Sequence, residues 1–209
     1  MWIYIVLYCV AFALANSLLV ANLCRRYITA MCILDFDTVA AADKFGNLFV
    51  LRLPEGSNDE LEASSGSRLM WDQGLLNGAP TKLELLTHYY LGEAVMSLQK
   101  KSFVDGGQDV IVATTITGGV FAFVPLTSKE DVTFYQHLEM YLRQEHVNFC
   151  QRDHLSYRSF FQPVKNTIDG DLCERFGSLP FAKQKEFAAD VDRTVAEVMK
   201  KLEDTRNFV

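Results

Sequence analysis

The chain has 209 residues, of which 49% are apolar and 22% are charged, so it is long enough for one or two hydrophobic cores and is not disordered by composition. Its formal net charge of -6 argues against a broad basic surface that would hold nucleic acid through phosphate contacts. The five cysteines form no CxxC pair, so they predict neither a zinc site nor a disulfide framework, and idle or buried thiols are expected. Protein partners are the expected ligands.

The N-terminal segment is unusually apolar. Residues 1–24 contain no charged side chain, and Arg25 and Arg26 follow at once, so length and flanking charge both fit a membrane-spanning helix. A cleaved signal peptide is less well supported, because no basic stretch precedes the apolar run. A buried pair of strands, or a segment foreign to the fold that it precedes, would have the same composition. We therefore set residues 1–25 apart as a possible anchor.

The middle of the chain has the pattern of β structure. Residues 37–53 contain two β-prone runs joined by a turn at residues 45–47, where Gly46 and Asn47 tolerate a positive φ. This pattern predicts a β-hairpin.

A second copy of this pattern follows 72 positions later, in residues 109–124, and places Gly118 on Gly46. Between the copies, residues 82–91 and 94–99 predict further strands. Each repeat would then hold about four strands, as a blade of a WD40-like β-propeller does. Because a blade needs a neighbour on either side, one or two blades over residues 26–127 predict a piece of a larger assembly.

After residue 127 the spacing of the apolar residues becomes that of an amphipathic helix. Residues 128–131 have the capping-box form, and a helix is predicted to about Glu145 with one apolar face. That face contains Phe134, Leu138, Tyr141 and Leu142. A shorter helix is predicted to start at a capping motif of Asp169, Gly170 and Asp171.

The end of the chain predicts a last amphipathic helix after Pro180. Its apolar stripe consists of Phe187, Val191, Val195, Val198 and Leu202. Together these elements predict that residues 128–209 form a small helical bundle after the β region. The fold class is therefore mainly β with a C-terminal α-helical domain.

No strong enzyme motif is present, and we predict no catalytic residue, metal site or cofactor. Asp169, Asp171 and Glu174 could suggest an acidic cluster, but acids in the first turn of a helix usually complement its unpaired N–H groups. Asp153, His154 and Ser156 have the residue types of a hydrolytic triad. Neighbouring positions on a helix point in different directions, so a solvated turn is expected there.

Two groups of aromatic residues are candidate binding surfaces. Residues 44–50 weakly resemble an RNA-binding strand, but the chain is acidic, and Phe45 and Phe49 are expected in the core. The dense group of Tyr157, Arg158, Phe160 and Phe161 provides the candidate partner surface, because aromatic and Arg side chains are enriched at interface hot spots. Packing between helices and sheet is the alternative for these four residues.

Four motifs resemble one known family. Residues 42–47, 70–79, 152–159 and 163–176 closely resemble subunit 3 of splicing factor 3b, and they occur in the same order. The core of the last motif, residues 168–172, is also similar to the damaged-DNA-binding large subunit and the cleavage and polyadenylation specificity factor A subunit. The resemblance covers residues 27–208 and implies the C-terminal end of a parent several times longer.

The resemblance implies a nuclear, non-catalytic, three-propeller scaffold. Such a scaffold would hold the helical-repeat subunit and a small subunit of splicing factor 3b within the U2 particle, support branch-site recognition, contact RNA only indirectly and need no membrane. The alternatives are a membrane-anchored or truncated interaction protein of the same superfamily, and an enzyme built on a propeller.

The chain departs from the family pattern in two places. Residues 1–25 replace expected propeller strands. Val195 and Ala196 replace a usual Pro-Pro pair, so Thr194 with Glu197 would cap a new helix or the preceding helix would continue.

Overall fold

A computed structural model describes residues 20–21, 27–54, 81–103, 107–145 and 151–207. Within these ranges the strands come first and the helices follow. The strands are β1 (Val20–Ala21), β2 (Ile28–Ile33), β3 (Thr38–Asp43), β4 (Asn47–Arg52), β5 (Thr81–Lys82), β6 (Glu84–Tyr90), β7 (Val95–Ser102), β8 (Asp109–Thr115) and β9 (Val120–Phe123).

The first sheet has the order β2-β3-β4-β6, and each neighbouring pair is antiparallel. All six residues of β3 are buried, because one core cluster packs on each face of the sheet. This double burial explains why the strand reads as a nearly continuous apolar run instead of alternating.

The predicted hairpin is confirmed as β3 and β4. Gly46 has a φ of +92°, in the left-handed region that favours glycine. The buried Asp43 carboxylate fixes the turn by accepting hydrogen bonds from the backbone N–H groups of Phe45 and Asn47, each at 2.9 Å. The Asn47 side-chain amide donates to the same carboxylate at 2.8 Å.

The second copy is confirmed as β8 and β9, which form an antiparallel sheet of order β7-β8-β9. Gly118 also has a φ of +92°, and the Thr115 hydroxyl accepts from the backbone N–H of Gly119 at 2.9 Å. The first sheet has the four strands expected of a repeat, but not the expected set: residues 94–99 lie in β7 of the second sheet, and β2 takes the fourth place in the first. The second sheet has three strands within the described residues.

The two sheets lie side by side through β2 and β7. The Thr29 hydroxyl donates to the backbone carbonyl of Val95 at 2.6 Å across this junction. A single core cluster contains residues of both sheets, among them Leu48, Val50, Leu98 and Ala113. The sheets are consistent with neighbouring blades of the propeller type.

The helical part begins at residue 129. Its elements are α1 (Lys129–Glu145), α2 (His154–Tyr157), α3 (Gly170–Glu174) with a 3-10 turn at Arg175–Ser178, α4 (Phe181–Asp190) and α5 (Val195–Arg206). The predicted first helix is confirmed, with Phe134, Leu138 and Leu142 buried on one face. These side chains pack with Phe176, Phe187 and Val198 in a core cluster separate from those of the sheets.

The prediction that a single helix carries the stripe from Phe187 to Leu202 is wrong. The chain breaks between α4 and α5, where Asp192 has a φ of +52°. The Thr194 hydroxyl accepts from the backbone N–H of Glu197 at 3.3 Å, and the Glu197 carboxylate accepts from the backbone N–H of Thr194 at 2.7 Å. This reciprocal capping box starts a new helix, so the first of the two alternatives is confirmed.

Most of the apolar N-terminal segment lies outside the described residues. Val20 and Ala21 are described, and they pair in parallel with Thr81 and Lys82 as a short extended ladder. Among the helices that the structure describes, none has the length and apolar character needed to cross a bilayer.

Candidate protein-interaction site

Four aromatic side chains from three separate segments meet at the surface. We call this set, Tyr27, Phe45, Phe160 and Phe161, the aromatic patch. The ring centroids of Phe160 and Phe161 lie 4.4 Å apart, and that of Phe45 lies 5.6 Å from Phe161. Tyr27 extends the patch, with its centroid 6.2 Å from that of Phe45. Aromatic pairs at these distances favour one another, so the rings form one surface.

The local backbone explains why these rings face outward. Phe45 lies in the hairpin turn directly before Gly46, where the chain leaves the sheet. Phe161 lies in a tight bend, closed by a bridge between Phe160 and Gln162, and has a φ of +65°. A phenylalanine in this region is strained, and such strain is concentrated at functional sites.

The patch is largely exposed to solvent. The residue exposures are 75% for Phe161, 56% for Tyr27 and 39% for both Phe45 and Phe160. The expectation that Phe45 is a core residue is therefore wrong, whereas Phe49 is fully buried as predicted. A contiguous exposed aromatic group is typical of a protein-interaction surface.

One cation borders the aromatic patch. The Lys44 ammonium lies 3.9 Å from the ring centroid of Tyr27 and 5.0 Å from that of Phe45. Both distances are within the range of cation–π attraction, which favours the present orientation of Tyr27. The patch therefore offers a partner aromatic faces and one positive charge.

The four predicted partner-surface residues have three different locations. Phe160 and Phe161 lie in the aromatic patch. Tyr157 is 64% exposed and lies outside the aromatic patch. Arg158 points inward instead, and its Nε donates to Oδ2 of Asp169 at 2.8 Å. Its backbone carbonyl accepts from the N–H of Tyr90 at 3.1 Å, so Arg158 joins β6 to the helical part.

Asp169 is the centre of a buried polar cluster. Its Oδ2 lies 2.7 Å from Nε2 of His154 and also accepts from Arg158, while Oδ1 accepts from the backbone N–H of Leu172 at 3.3 Å. The last contact makes Asp169 the N-cap of α3, and Gly170 and Asp171 begin that helix. Burial alone would raise the pKa of Asp169, but the charge of Arg158 and hydrogen bonds from His154, Arg158 and Tyr89 hold the pKa below its ordinary value.

A second carboxylate approaches the same cluster. Oε1 of Glu139, on α1, accepts from the backbone N–H of Asp169 at 3.3 Å. Burial raises the pKa of Glu139, and the neighbouring charge of Asp169 raises it further. Burial also raises the pKa of Tyr89 on β6, which keeps its hydroxyl a neutral donor toward Asp169. The cluster thus connects β6 of the first sheet with α1, α2 and α3.

The residues with triad chemistry do not form a triad. Asp153 pairs with Arg143 at 2.7 Å, whereas His154 faces Asp169. The expectation of a solvated turn is wrong for His154, because its side chain is only 12% exposed and contacts the buried Asp169. Asp171 and Glu174 do not join Asp169 as ligands, and the described part of the chain contains no group of three side chains that could hold a metal ion.

Sequence reasoning did not find Tyr27, Tyr90 and Tyr89 as members of these two sites. Tyr90 supports the aromatic patch from below, with its ring centroid 5.2 Å from that of Phe160. Tyr89 and Tyr90 lie on β6, and Tyr27 lies directly before β2, so all three are far from residues 157–161 in the sequence. The 72-residue repeat predicts which turn carries Phe45, but no local signal predicts that residues 158–165 lie against β6.

The two antiparallel sheets resemble blades of a β-propeller, and helices follow them in the chain. These features are typical of propeller-type proteins. The chain belongs to the family described as "CPSF A subunit region", whose model matches residues 15–178.

Within that family, the chain is similar to subunit 3 of splicing factor 3b. It is 53% identical over 182 residues to "Splicing factor 3B subunit 3" of Danio rerio and 50% identical over 182 residues to the protein of that name in Drosophila melanogaster. It is 48% identical over 185 residues to "Spliceosome-associated protein 130 A" of Arabidopsis thaliana. These matches cover 87% to 88% of this chain and confirm the resemblance seen in the motifs. The chain spans 15% of the length of these relatives.

Proposed function

We propose that the chain is a non-catalytic protein-binding element of a splicing factor 3b type complex, acting in the nucleus in support of branch-site recognition. The observation that carries the proposal is the exposed aromatic patch on a chain about 50% identical to proteins named for splicing. Four exposed rings offer a large apolar area to another protein.

The proposed partners are the helical-repeat subunit and the small subunit of splicing factor 3b. A helix can lay an apolar face against aromatic rings, and the Lys44 ammonium beside the patch would favour an acidic residue at the edge of that face. The net charge of -6 supports only indirect contact with RNA.

We further propose that residues 26–127 form terminal blades of a larger β-propeller and that residues 128–209 form a helical domain. The division is supported by separate core clusters, one of which contains Leu48 and Leu98 of the sheets and another Leu138 and Phe176 of the helices. The buried contact between Arg158 and Asp169 would hold the two parts in one orientation. No cofactor is needed for such a scaffold.

Paired substitution tests the aromatic patch. The full chain carrying Phe45→Ala and Phe161→Ala is co-expressed with the helical-repeat subunit, and recovery of that subunit is compared with the unsubstituted chain. We expect a loss of at least about tenfold, since each buried aromatic anchor contributes about 2 kcal/mol or more at an interface. Phe36→Ala is the matched control, because Phe36 is 84% exposed and is not a member of the aromatic patch.

The proposal fails if the double variant recovers the subunit as well as the unsubstituted chain does, with both equally folded by circular dichroism. It also fails if Phe36→Ala reduces recovery to the same extent. The nuclear assignment is tested separately by imaging a fluorescent fusion of the full chain, for which membrane-bound signal would contradict it.

A further inference from the structure

The segment between Arg158 and Asp169 forms a loop that is closed at its base. Nε of Arg158 and Oδ2 of Asp169 belong to residues eleven positions apart and lie 2.8 Å from each other. Asp169 is also the N-cap of α3, so both ends of the loop are fixed at one buried carboxylate. Surface loops of this length whose ends lie close together are often functional.

Residues 158–166 of this loop, which we call the strap, lie along the outer edge of β6. The Arg158 carbonyl accepts from the backbone N–H of Tyr90 at 3.1 Å. Lys165 exchanges backbone hydrogen bonds with His88, at 3.0 Å from the Lys165 N–H and at 3.1 Å from the His88 N–H. The strap therefore takes the place of a further strand beside β6.

The strap cannot follow β6 continuously. Residues 159–164 lie between the two points of pairing, whereas on β6 only Tyr89 separates His88 from Tyr90. The surplus residues leave the edge of the sheet in a bend, in which the Ser159 hydroxyl accepts from the backbone N–H of Val164 at 3.2 Å. The strap is thus fastened to β6 near its two ends and projects between them.

Two residues of the strap have backbone conformations that favour glycine. Phe161 has a φ of +65° and Asn166 a φ of +49°. Such conformations cost energy that the contacts of the closed strap must outweigh, among them the hydrogen bond from the Asn166 amide to the carbonyl of Leu86 at 2.9 Å. Because opening would relieve this strain, the strap should be less stable locally than the sheet that it covers.

The strap carries one half of the aromatic patch, and the sheet carries the other. Phe160 and Phe161 belong to the strap, whereas Phe45 lies in the turn between β3 and β4, and Tyr27 lies directly before β2. The ring centroid of Phe160 lies 5.2 Å from that of Tyr90 on β6 and 6.3 Å from that of Phe45. These contacts join the two halves only while the strap lies on β6.

We propose that the strap opens from β6 and closes on it as a unit, and that closure assembles the aromatic patch. The ion pair between Arg158 and Asp169 acts as the hinge, because the side chains are 17% and 3% exposed and neither charge can be released into water at little cost. A partner that contacts all four rings would favour the closed strap. This regulatory consequence rests on the proposed function, whereas the opening itself does not.

Amide hydrogen exchange of the full chain, followed by NMR at urea concentrations below the unfolding transition, measures the opening. The N–H groups of His88 and Tyr90 donate to the strap, whereas the alternation of the ladder directs that of Tyr89 toward Leu48 on β4. After correction for intrinsic rates, we expect His88 and Tyr90 to exchange at least about tenfold faster than Tyr89 and with a weaker dependence on urea. Equal exchange at the three positions would overturn the proposal, by showing that the strap leaves β6 only when the sheet unfolds.

Two substitutions of Asn166 weaken the strap by different amounts. Asn166→Ala removes the hydrogen bond to Leu86 and leaves alanine strained at a φ of +49°. Asn166→Gly removes the same bond without the strain and is the matched control. We expect Asn166→Ala to speed exchange at His88 and Tyr90 by about tenfold and Asn166→Gly to speed it by about threefold. Tyr89 should stay within about twofold in both variants, and a change of equal size at all three amides, or at none, would contradict a strap that opens separately.

A substitution on the sheet tests the link between closure and the aromatic patch. Phe45→Ala removes ring contacts with Phe160 and Phe161, whose centroids lie 6.3 Å and 5.6 Å from that of Phe45. If these contacts help to hold the strap closed, the variant should speed exchange at His88 by about threefold or more, whereas Phe36→Ala should not. Unchanged exchange in Phe45→Ala would refute the link. The exchange measurements use the chain alone, so a failure to recover the helical-repeat subunit would contradict the proposed function and leave the strap to be judged by exchange.

Discussion

Nε of Arg158 lies 2.8 Å from Oδ2 of Asp169, and this ion pair sits at the junction between the sheet and the helices. The side chains of Arg158 and Asp169 are 17% and 3% exposed, so neither charge is well solvated. Removing one partner of a buried pair leaves the other charge without compensation, which makes the pair far more costly to break than its net contribution suggests.

Substitution of Arg158 should therefore destabilise the fold. We expect Arg158→Ala to lower the free energy of unfolding by about 3 kcal/mol, because Asp169 stays buried and retains only neutral donors and His154. Urea denaturation followed by far-UV circular dichroism measures the change. Arg143→Ala is the control, since the Arg143–Asp153 pair is more exposed and should contribute about 0–1 kcal/mol. Equal effects of the two substitutions would contradict a structural role for Arg158.

Glu139 should make the folding stability of the chain depend on pH. Its pKa is raised by burial, so ionisation of Glu139 favours the unfolded chain, and stability falls as pH rises through the folded pKa. Glu139→Gln keeps an oxygen that accepts from the Asp169 N–H but removes the buried charge. We expect the variant to be at least as stable as the unsubstituted chain at pH 7, with the difference shrinking toward zero as the pH falls below the ordinary glutamate pKa of about 4.5.

Urea titrations at pH 7 and at acidic pH measure this difference. The two chains must be compared at each pH, because Asp169 contributes in the opposite direction. Its lowered pKa adds stability that is complete above the ordinary aspartate pKa and is lost as pH falls through the folded pKa. A Glu139→Gln chain that loses stability at pH 7 would contradict the assignment.

The hairpins could be predicted from the sequence because the signals that specify them, a turn glycine between two β-prone runs, lie close together in the chain. A glycine fixes each turn: Gly46 lies nine positions after Asp37, and the repeat supplies a second, independent instance in Gly118, nine positions after Asp109. The helix from Lys129 to Glu145 has a clear apolar period. The sequence predicts the break after α4 only as one of two alternatives. Val191 and Val195 continue the apolar stripe of a single helix, whereas Thr194 and Glu197 have the pattern of a capping box that starts a new one.

The candidate site could be predicted only in part. Phe160 and Phe161 are easily noticed as neighbours in the sequence. Arg158 belongs to the same group of residue types that are enriched at interfaces, yet its side chain points into the protein. The Arg158 side chain points inward because it pairs with Asp169, eleven residues later, and the Arg158 backbone is held by Tyr90, which lies on β6 much earlier in the chain. Such long-range pairing has no period and no spacing that a single sequence displays.

The two turn glycines provide a matched pair of substitutions. Gly118→Ala should cost about 1–2 kcal/mol, because alanine is strained at a φ of +92° although the surrounding space is open. Gly46→Ala carries the same strain and also places a Cβ 2.7 Å from the rigid backbone N of Glu93, which adds about 1–3 kcal/mol.

Thermal and urea denaturation of both variants measure the difference. Equal losses would show that the chain after β6 does not press on the first turn.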